Sequence, residues 1–582
     1  MPDPAVPYQD AGLSVEQRTE DLLSRLPLAD KVGLMFHTIA VPADVDQVIP
    51  LFGERSLRSL LDRGVNHFNI LGSLPDGRSF AQWHNSIQRA ALQRPLGVPV
   101  TFSTDPRHHF GDNPLTQMMA GPFSLWPEPL GLAAIGSAER MQEFADIVRQ
   151  EYIAVGIRVA LHPQLDLATE PRWPRINTTF GEDADLTSRL GVAYVAGLQR
   201  DRLGAESVAA MVKHFPGGGP QKDGADPHFS WGREQVYPGG NAEYHLRPFL
   251  AALAAGAAEV MTYYGMPVGT DWDEVGFGFN KSVVTGLLRE RLGFDGIVCT
   301  DWGLVTDHPD LGDLGVARAW GVEHLSREDR VVRVIEAGVD QFGGEDCTDV
   351  LLGLLRSGRI TESRIDESVR RLLRMKFALG LFDRALVDDG QAAITLGRND
   401  FCDAGHRAQR DSLTLLTNAA QLLPLRRGVK VFAPSLAAAA LDGYAEQVDD
   451  IADADVAVLR IKAPFEPRDD GMAALFHHGS LEFGADELRR ILEVCAALPT
   501  VVDVYLDRPA VLAGLVEAAG AIIANFGTSE KALLEVLFGE SGPQGNLPFD
   551  LPRSDAAVAA SRPDVEFDTA DPVFRFGHGL RY

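Results

Sequence analysis

Short apolar runs alternate with helical stretches from about residue 30 to residue 380 of this 582-residue chain. Strands that are separated by helices pair in parallel through right-handed crossovers, so this alternation predicts a parallel α/β fold. About eight such repeats in roughly 350 residues are typical of a (β/α)₈ barrel of the TIM type. The strand candidates are HFNI, PVTFSTD, RVALHPQLD, VAAMVKHF, EVMTYY, GIVCTDW and AGVDQFGG.

A second alternating series follows the first. The strand candidates LTLLTN, KVFAPS, VAVLRI, TVVDVYLD and AIIANFG are separated by helical segments such as ADELRRILEVCAAL. The polar, turn-rich stretch DRALVDDGQAAITLGRND lies between the two series. We therefore predict a barrel domain over residues 1–385, a linker over 386–410 and an α/β sandwich domain over 411–582, since one core rarely grows to this length.

Polar side chains stand where the predicted barrel strands end. Barrels of this type keep their active sites at the carboxyl ends of the strands. Burying ionisable groups is costly, so their regular placement there indicates chemistry rather than packing. The residues concerned are Asp105, Asp166, Lys213, His214, Tyr264 and Asp301.

Asp301 stands in GIVCTDWG, an apolar strand that ends in a carboxylate, an aromatic residue and a glycine. A strand end can hold a carboxylate rigidly, as a nucleophile requires. The adjacent Trp302 offers a flat apolar face, on which the C–H groups of a sugar ring can pack. Taken alone, an Asp at this position is more often the N-cap of the next helix.

Charge and composition exclude several classes of function. A formal net charge of −27 argues against binding to nucleic acid and disfavours anionic membranes. The sequence contains no run of about 18 apolar residues, so we predict no membrane span. Its first residues are acidic and polar, so we predict no secretory signal. No GK[ST] or metal-ligand spacing occurs, so we expect no cofactor and no metal. The cysteines are scattered, which favours reduced thiols and predicts a cytoplasmic location. They are Cys299, Cys347, Cys402 and Cys495.

Several motifs in a fixed order resemble glycoside hydrolase family 3. In this sequence they read RWPRINTTFGED, VKHFPGG, GFDGIVCTDWG, GVDQFGG and FRFGHGLRY, and the resemblance covers nearly all 582 residues. It implies a (β/α)₈ barrel followed by an α/β sandwich, with the active site between them. It also implies a retaining mechanism in which Asp301 is the nucleophile.

Retention requires a second group, an acid/base, at about 5–5.5 Å from the nucleophile. The resemblance implies a Glu on a loop of the second domain, and Glu466 in RIKAPFEPRDDGMAALFHHGSL is the first candidate. A solvated loop Glu is the alternative. Family members that act on N-acetylglucosaminides use a His in a D-S-H motif instead. Here Asp226-Pro227-His228 occupies that loop with a different spacing, which favours a hydrogen-bonded His in a turn.

The resemblance also implies how the sugar is bound. Asp105 resembles the family Asp that binds hydroxyls on the far side of the ring, and Arg175, Lys213 and His214 match positions that grip adjacent hydroxyls. Arg175 and Lys213 could equally be partners in buried ion pairs. Tyr264 is a candidate hydrogen-bond donor to the nucleophile or a core tyrosine. The sequence differs from the family at Thr178, where a Glu is expected.

These observations predict an exo-acting retaining β-glycosidase, foremost a β-glucosidase that releases terminal non-reducing β-D-glucose. The alternatives are an N-acetyl-β-glucosaminidase that uses His228, a β-xylosidase, and an inactive sugar-binding relative. The expected partner is a carbohydrate or glycoside substrate, with no nucleic acid and no membrane, and a homo-oligomer is left open.

Overall fold

A computed structural model of the protein describes residues 6–50, 55–111, 113–309, 312, 315–468 and 471–582. Sixteen strands are present in the described residues. In sequence order they are β1 (Phe36–Ala40), β2 (His67–Ile70), β3 (Thr101–Thr104), β4 (Ile157–Ala160), β5 (Ala209–Phe215), β6 (Glu234–Val236), β7 (Glu259–Thr262), β8 (Met266–Val268), β9 (Ile297–Cys299), β10 (Phe342–Gly343), β11 (Thr414–Asn418), β12 (Lys430–Phe432), β13 (Glu446–Gln447), β14 (Val456–Lys462), β15 (Thr500–Tyr505) and β16 (Ala521–Asn525).

Eight parallel strands form the barrel, in the order β10-β1-β2-β3-β4-β5-β7-β9. A parallel bridge between Cys299 and Gln341 joins the two outer strands and closes the ring. Strands β6 and β8 form a separate two-stranded ribbon. The carboxyl ends of all eight barrel strands therefore meet at one end of the ring.

Helices separate the strands and cover them. The boundaries follow local chemistry: the Ser137 side chain caps the helix Ala138–Val155, and Gly156 ends it at φ 87°, directly before β4. The segment Ser282–Arg291 is a π-helix. The α-helices are α1 (Val15–Arg25), α2 (Leu28–Leu34), α3 (Leu57–Asp62), α4 (Gly77–Leu92), α5 (Pro129–Ile135), α6 (Ala138–Val155), α7 (Ala184–Gln199), α8 (Ala242–Ala254), α9 (Arg327–Ala337), α10 (Thr348–Arg356), α11 (Glu362–Ala378), α12 (Asp389–Thr395), α13 (Asn399–Ser412), α14 (Ala485–Ala497), α15 (Ala513–Val516), α16 (Glu530–Leu537) and α17 (Asp555–Ala560).

The second domain is built on a six-stranded sheet in the order β11-β16-β15-β14-β12-β13. Strand β11 pairs with β16 antiparallel, and the other pairs are parallel. One apolar cluster contains core residues of both domains, among them Trp126, Phe526 and Phe549. The shared cluster packs the second domain against the barrel.

The predicted fold class is confirmed: a closed parallel barrel is followed by a separate α/β domain with a mixed sheet. Each quoted strand candidate contains a strand, but the sequence did not predict β1, β6, β8 and β13. The predicted linker, 386–410, contains α12 and most of α13, and the domain limits stay predictions. Nowhere in the described ranges does a helix combine the length and the apolar character needed to cross a membrane.

Candidate active site

A cavity of about 150 Å³ lies at the carboxyl ends of the barrel strands. It collects side chains from distant parts of the sequence, because the ends of parallel strands meet there. The site residues that the sequence predicted line this cavity, except Glu466 and the strand-end residue Asp166. Those residues are Asp105, Arg175, Lys213, His214, His228, Tyr264, Asp301 and Trp302.

Asp301 follows β9 and is 7% exposed. Its Oδ1 accepts a hydrogen bond of 2.8 Å from the backbone N–H of Trp302. Its Oδ2 is buried and accepts no hydrogen bond from the described residues, and His214 Nε2 lies 3.6 Å away. One oxygen therefore holds the carboxylate in place while the other is free to react.

His214 is oriented from behind by Asp166, which is fully buried. Its Nδ1 lies 2.7 Å from Asp166 Oδ2, and Asp166 Oδ1 accepts from the backbone N–H groups of His214 and Gly218. Burial, followed by the charge of Arg175, lowers the pKa of His214 far below its ordinary value. The ring is thus neutral, with Nδ1 donating to Asp166 and Nε2 accepting from Arg175 Nη1 at 3.2 Å.

Burial raises the pKa of Asp166 to about 6. The backbone N–H groups from which it accepts, and the charges of Arg175 and Lys213, act in the opposite direction. A carboxyl with this pKa changes its protonation state within the working range of many enzymes. The orientation of His214 is consequently sensitive to pH.

Arg175 is held by Gln164, whose Oε1 accepts from Arg175 Nη2 at 3.1 Å and from Thr178 Oγ1 at 2.7 Å. Burial opposes the charge of Arg175, but Asp226 and Asp301 with other nearby groups raise its pKa. Thr178, which stands where the family resemblance implied a Glu, thus supports the Arg175 anchor. Gln164 was not foreseen, because no local pattern distinguishes it.

Lys213 in β5 and Asp105 at the end of β3 form an ion pair, with 2.8 Å between Nζ and Oδ1. Asn69 Nδ2 donates to Asp105 Oδ2 at 3.1 Å. Both charged groups line the cavity, so they present donors and acceptors side by side, as vicinal hydroxyls require. Asn69 was missed, although it stands next to the last residue of β2 and carries the same strand-end signal.

Tyr264 supports the nucleophile strand through the backbone. Its hydroxyl donates to Trp302 O at 2.8 Å and accepts from Trp302 N–H at 3.0 Å. Burial and the nearby Asp301 carboxylate raise the pKa of Tyr264 well above its ordinary value. The Trp302 ring packs against the backbone of Gly343 and Gly344, where a Cβ would come within 2.7 and 2.8 Å of it, so GVDQFGG requires its glycines.

His228 lies in the cavity with Asp226 behind it. Its Nδ1 is 2.6 Å from Asp226 Oδ1, which also accepts from the His228 backbone N–H at 3.0 Å. Burial opposes the charge of Asp226, but His228 and Arg175 hold its pKa well below the ordinary value. The turn with a hydrogen-bonded His that we favoured is present, and the same His faces the cavity.

Glu466 follows β14 on an exposed loop, where its backbone N–H donates to His478 O at 2.8 Å. Its side chain does not line the cavity. The same loop nevertheless covers the cavity, since Met472 lines it and the ring of Phe476 lies 5.1 Å from that of His228. Residues 469–470 of this loop lie outside the described residues.

Comparison with known proteins assigns this geometry to a family. The Glycosyl hydrolase family 3 N terminal domain matches residues 59–375, and the C-terminal domain matches residues 436–582. The chain belongs to glycosyl hydrolase family 3. Its barrel and second domain correspond to the two domains of that family.

Relatives within the family span nearly the whole sequence. This protein is 48% identical to "Beta-glucosidase C" of Emericella nidulans, over 99% of its own length and 94% of that protein. It is 41% identical to "Periplasmic beta-glucosidase/beta-xylosidase" of Dickeya chrysanthemi, over 99% of its own length and 91% of that protein. The β-glucosidase of Listeria innocua in complex with isofagomine superposes with a TM-score of 0.77 at 22% identity, over 97% of this protein and 83% of that one, which shows the shared fold.

Side chains that the sequence did not single out also line the cavity. His308 and Arg318 come from the segment after β9, where no strand-end signal marks them. Within the described part of the molecule, no three His, Cys, Asp or Glu side chains are grouped as metal ligands. The expectation of a metal-free reaction stays a prediction.

Proposed function

We propose that this family 3 hydrolase is a retaining, exo-acting β-glucosidase with Asp301 as its nucleophile. One observation carries the proposal: Asp301 is held through Oδ1, while Oδ2 has no hydrogen-bond partner among the described residues and lies in a cavity that also contains the Lys213–Asp105 pair. The β-glucosidases among the full-length relatives support the same reaction and substrate class.

In the first step Asp301 Oδ2 attacks the anomeric carbon. The bond from that carbon to the leaving oxygen breaks, and the leaving oxygen takes a proton from the acid/base. Water then attacks the glycosyl-enzyme ester, gives its proton to the same acid/base and restores Asp301. Because His214 is neutral and accepts from Arg175, it does not occupy the attacking oxygen.

The size of the cavity supports exo action. At about 150 Å³ it is smaller than the 300–1,000 Å³ of typical ligand pockets. Such a space suits one sugar ring rather than a polysaccharide that passes through. The Lys213–Asp105 pair and Arg175 would bind its hydroxyls, and Trp302 offers the ring an apolar face.

The proposed proton donor is Glu466. Support comes from the resemblance of its segment to the family loop, and from Met472, by which the same loop reaches the cavity. His228 competes for the role, because it already lines the cavity and has a buried Asp226 to orient it. The two residues are distinguishable by chemical rescue.

The presence of His228, in addition to Glu466, as a candidate acid/base gives a second candidate activity. The Asp226–His228 pair favours N-acetyl-β-glucosaminidase activity as the second candidate, since family members with that activity use a His. A β-xylosidase differs from a β-glucosidase in accepting a sugar without one hydroxymethyl group, and a pocket discriminates such a group by only about 1–3 kcal/mol.

A panel of p-nitrophenyl β-glycosides tests the proposal, with proton NMR of the first product. We expect the highest kcat/KM for the β-glucoside and release of β-glucose before mutarotation. A preference for the N-acetylglucosaminide would move the assignment to the second candidate. Initial release of the α anomer would contradict the retaining mechanism. The cytoplasmic location and the oligomeric state stay predictions.

A further inference from the structure

A second, larger cavity lies between the two domains. Its volume is about 680 Å³, and none of its described lining residues also lines the Asp301 cavity. Both cavities share two segments as a wall. Leu115 and Met472 face the Asp301 cavity, whereas Gln117 and His477 face the larger one.

The topology of the second domain marks this cavity as a ligand site. From β13 at one edge of the sheet, the backbone passes back over β12 to β14, so the strand order reverses between β12 and β14. Ligands in open α/β sheets bind outside the carboxyl ends of the strands at such a switch point. Ser435, which follows β12, and Lys462, Tyr505 and Asn525, which end β14, β15 and β16, all line the cavity.

Gln117 is an independent sign that a ligand belongs there. Its side chain lines the cavity and is 1% exposed, yet neither its amide nitrogen nor its amide oxygen has a hydrogen-bond partner in the described structure. Asp507 Oδ1 is likewise buried and unpartnered, while Oδ2 is bound to His477. Buried polar groups left without partners are rare and destabilising, so a molecule that pairs with them would be favoured.

The charges around the cavity indicate what kind of molecule that is. Two cations, Arg460 and Lys462, face two carboxylates, Asp503 and Asp507. Arg460 is already neutralised by Asp503, at 2.7 Å between Nε and Oδ2. With equal numbers of each sign, the lining attracts neither anions nor cations. It offers donors and acceptors together, which suits a neutral, hydroxyl-rich ligand.

Aromatic side chains complete the set. Phe110 on the barrel side and Tyr505 on the sheet side both line the cavity, and apolar ring faces pack on the C–H groups of pyranoses. We propose that the cavity between the domains is a second, non-catalytic binding site for a neutral sugar of one or two rings. This site lies beyond the reaction proposed for Asp301, and no turnover is assigned to it.

The test compares two substitutions of buried glutamines by methionine, which has a similar volume and no amide. Gln117→Met removes the unpartnered amide. Gln88→Met is the matched control, because Gln88 is fully buried in α4 and both of its amide atoms are paired, with Val100 O at 2.8 Å and Val100 N at 2.9 Å. D-glucose is titrated by calorimetry into the full-length wild type and both variants.

Gln117→Met should bind one glucose fewer per protein molecule than the wild type, or bind it at least tenfold more weakly, whereas Gln88→Met should match the wild type. Without glucose, Gln117→Met should unfold at the same or a higher temperature than the wild type. Gln88→Met should unfold at a lower one, since only it breaks hydrogen bonds. Hydrolysis of an aryl β-glucoside by Gln117→Met should stay within about twofold of the wild type.

Unchanged glucose binding in Gln117→Met would overturn the proposal. Equal binding of the acyclic polyol D-glucitol at this site would overturn the assignment to a sugar ring, and displacement of glucose by inorganic phosphate would overturn the assignment to a neutral ligand. A Gln117-dependent glucose site in a protein that hydrolyses no aryl glycoside would support this site and contradict the proposed function, so the two can fail separately.

Discussion

His214 Nε2 lies 3.6 Å from Asp301 Oδ2 and gives it no proton. The ring nitrogen accepts from Arg175 instead, because Asp166 holds the imidazole proton on the opposite nitrogen. The buried carboxylate oxygen therefore faces the cavity without a donor from the described protein. A nucleophile in this state loses no hydrogen bond when it attacks.

Asp301→Ala should abolish turnover. The reaction loses the oxygen that forms the glycosyl-enzyme, and we expect kcat to fall by about a thousandfold or more, as when other covalent nucleophiles are removed. The protein should remain folded, because Asp301 Oδ2 has no partner among the described residues and the Trp302 N–H that Oδ1 accepts from also donates to the Tyr264 hydroxyl. Hydrolysis of an aryl β-glucoside and thermal unfolding measure the two effects. A folded variant with near-normal activity would exclude Asp301 as the nucleophile.

Activity should fall as the pH drops through about 6, because Asp166 then takes up a proton and releases His214. Asp166→Asn removes this titration. It should also lower kcat/KM at pH 7 about ten- to a hundredfold, the rate equivalent of one charge-assisted hydrogen bond. The measurement is kcat/KM against pH for both proteins. If kcat/KM of Asp166→Asn falls with decreasing pH as it does in the wild type, a group other than Asp166 causes the fall.

Glu466→Ala should cripple hydrolysis of disaccharides and spare the first step with a dinitrophenyl glucoside, whose leaving group needs little protonation. The intermediate then accumulates, and azide should restore turnover by attacking it, because this anion needs no general base. The product to detect is β-glucosyl azide.

His228→Ala is the comparison for that experiment. If His228 only lines the cavity, its loss should weaken binding without azide rescue. Rescue of His228→Ala together with no rescue of Glu466→Ala would exchange the two roles and favour the N-acetylglucosaminidase assignment.

Stability should decrease with rising pH through Glu259, which is buried at the start of β7. Burial raises its pKa from 4.5 to about 8, although Lys376 opposes the shift. As the pH rises, Glu259 loses its proton at a lower pH in the unfolded protein than in the folded one. Its contribution to the free energy of unfolding is therefore complete below pH 4.5 and decreases progressively up to about pH 8. It amounts to as much as about 1.4 kcal/mol per pH unit.

Urea unfolding at pH values from about 5 to 8 measures this contribution as the difference between the wild type and Glu259→Gln. As the pH rises, the free energy of unfolding of the wild type should fall relative to that of Glu259→Gln. Glu517→Gln, at a position outside the buried core, should show a constant difference. A constant difference for Glu259→Gln as well would contradict the raised pKa.

The parts of the site that could be predicted are those with a local signal. Asp105, His214 and Asp301 each follow or end an apolar strand, and the barrel rule alone brings them together. Gln164 carries no local signal, whereas Asn69 carries the strand-end signal but was not selected. Both act by contact: Gln164 positions Arg175, and Asn69 positions Asp105. Their importance is a property of neighbours that lie far apart in the sequence.

The sequence by itself determined the alternation of strands and helices and the barrel, because periodicity and strand ends are local. The resemblance of its motifs to those of glycoside hydrolase family 3 singled out Asp301 as the nucleophile candidate. Only the tertiary structure decided that Asp301 Oδ2 is unpartnered, that His228 rather than Glu466 lines the cavity, and that Gln117 is buried without a partner among the described residues. Hydrogen bonds and burial depend on side chains that meet only when the ring closes and the second domain packs against it. No local pattern encodes those distances.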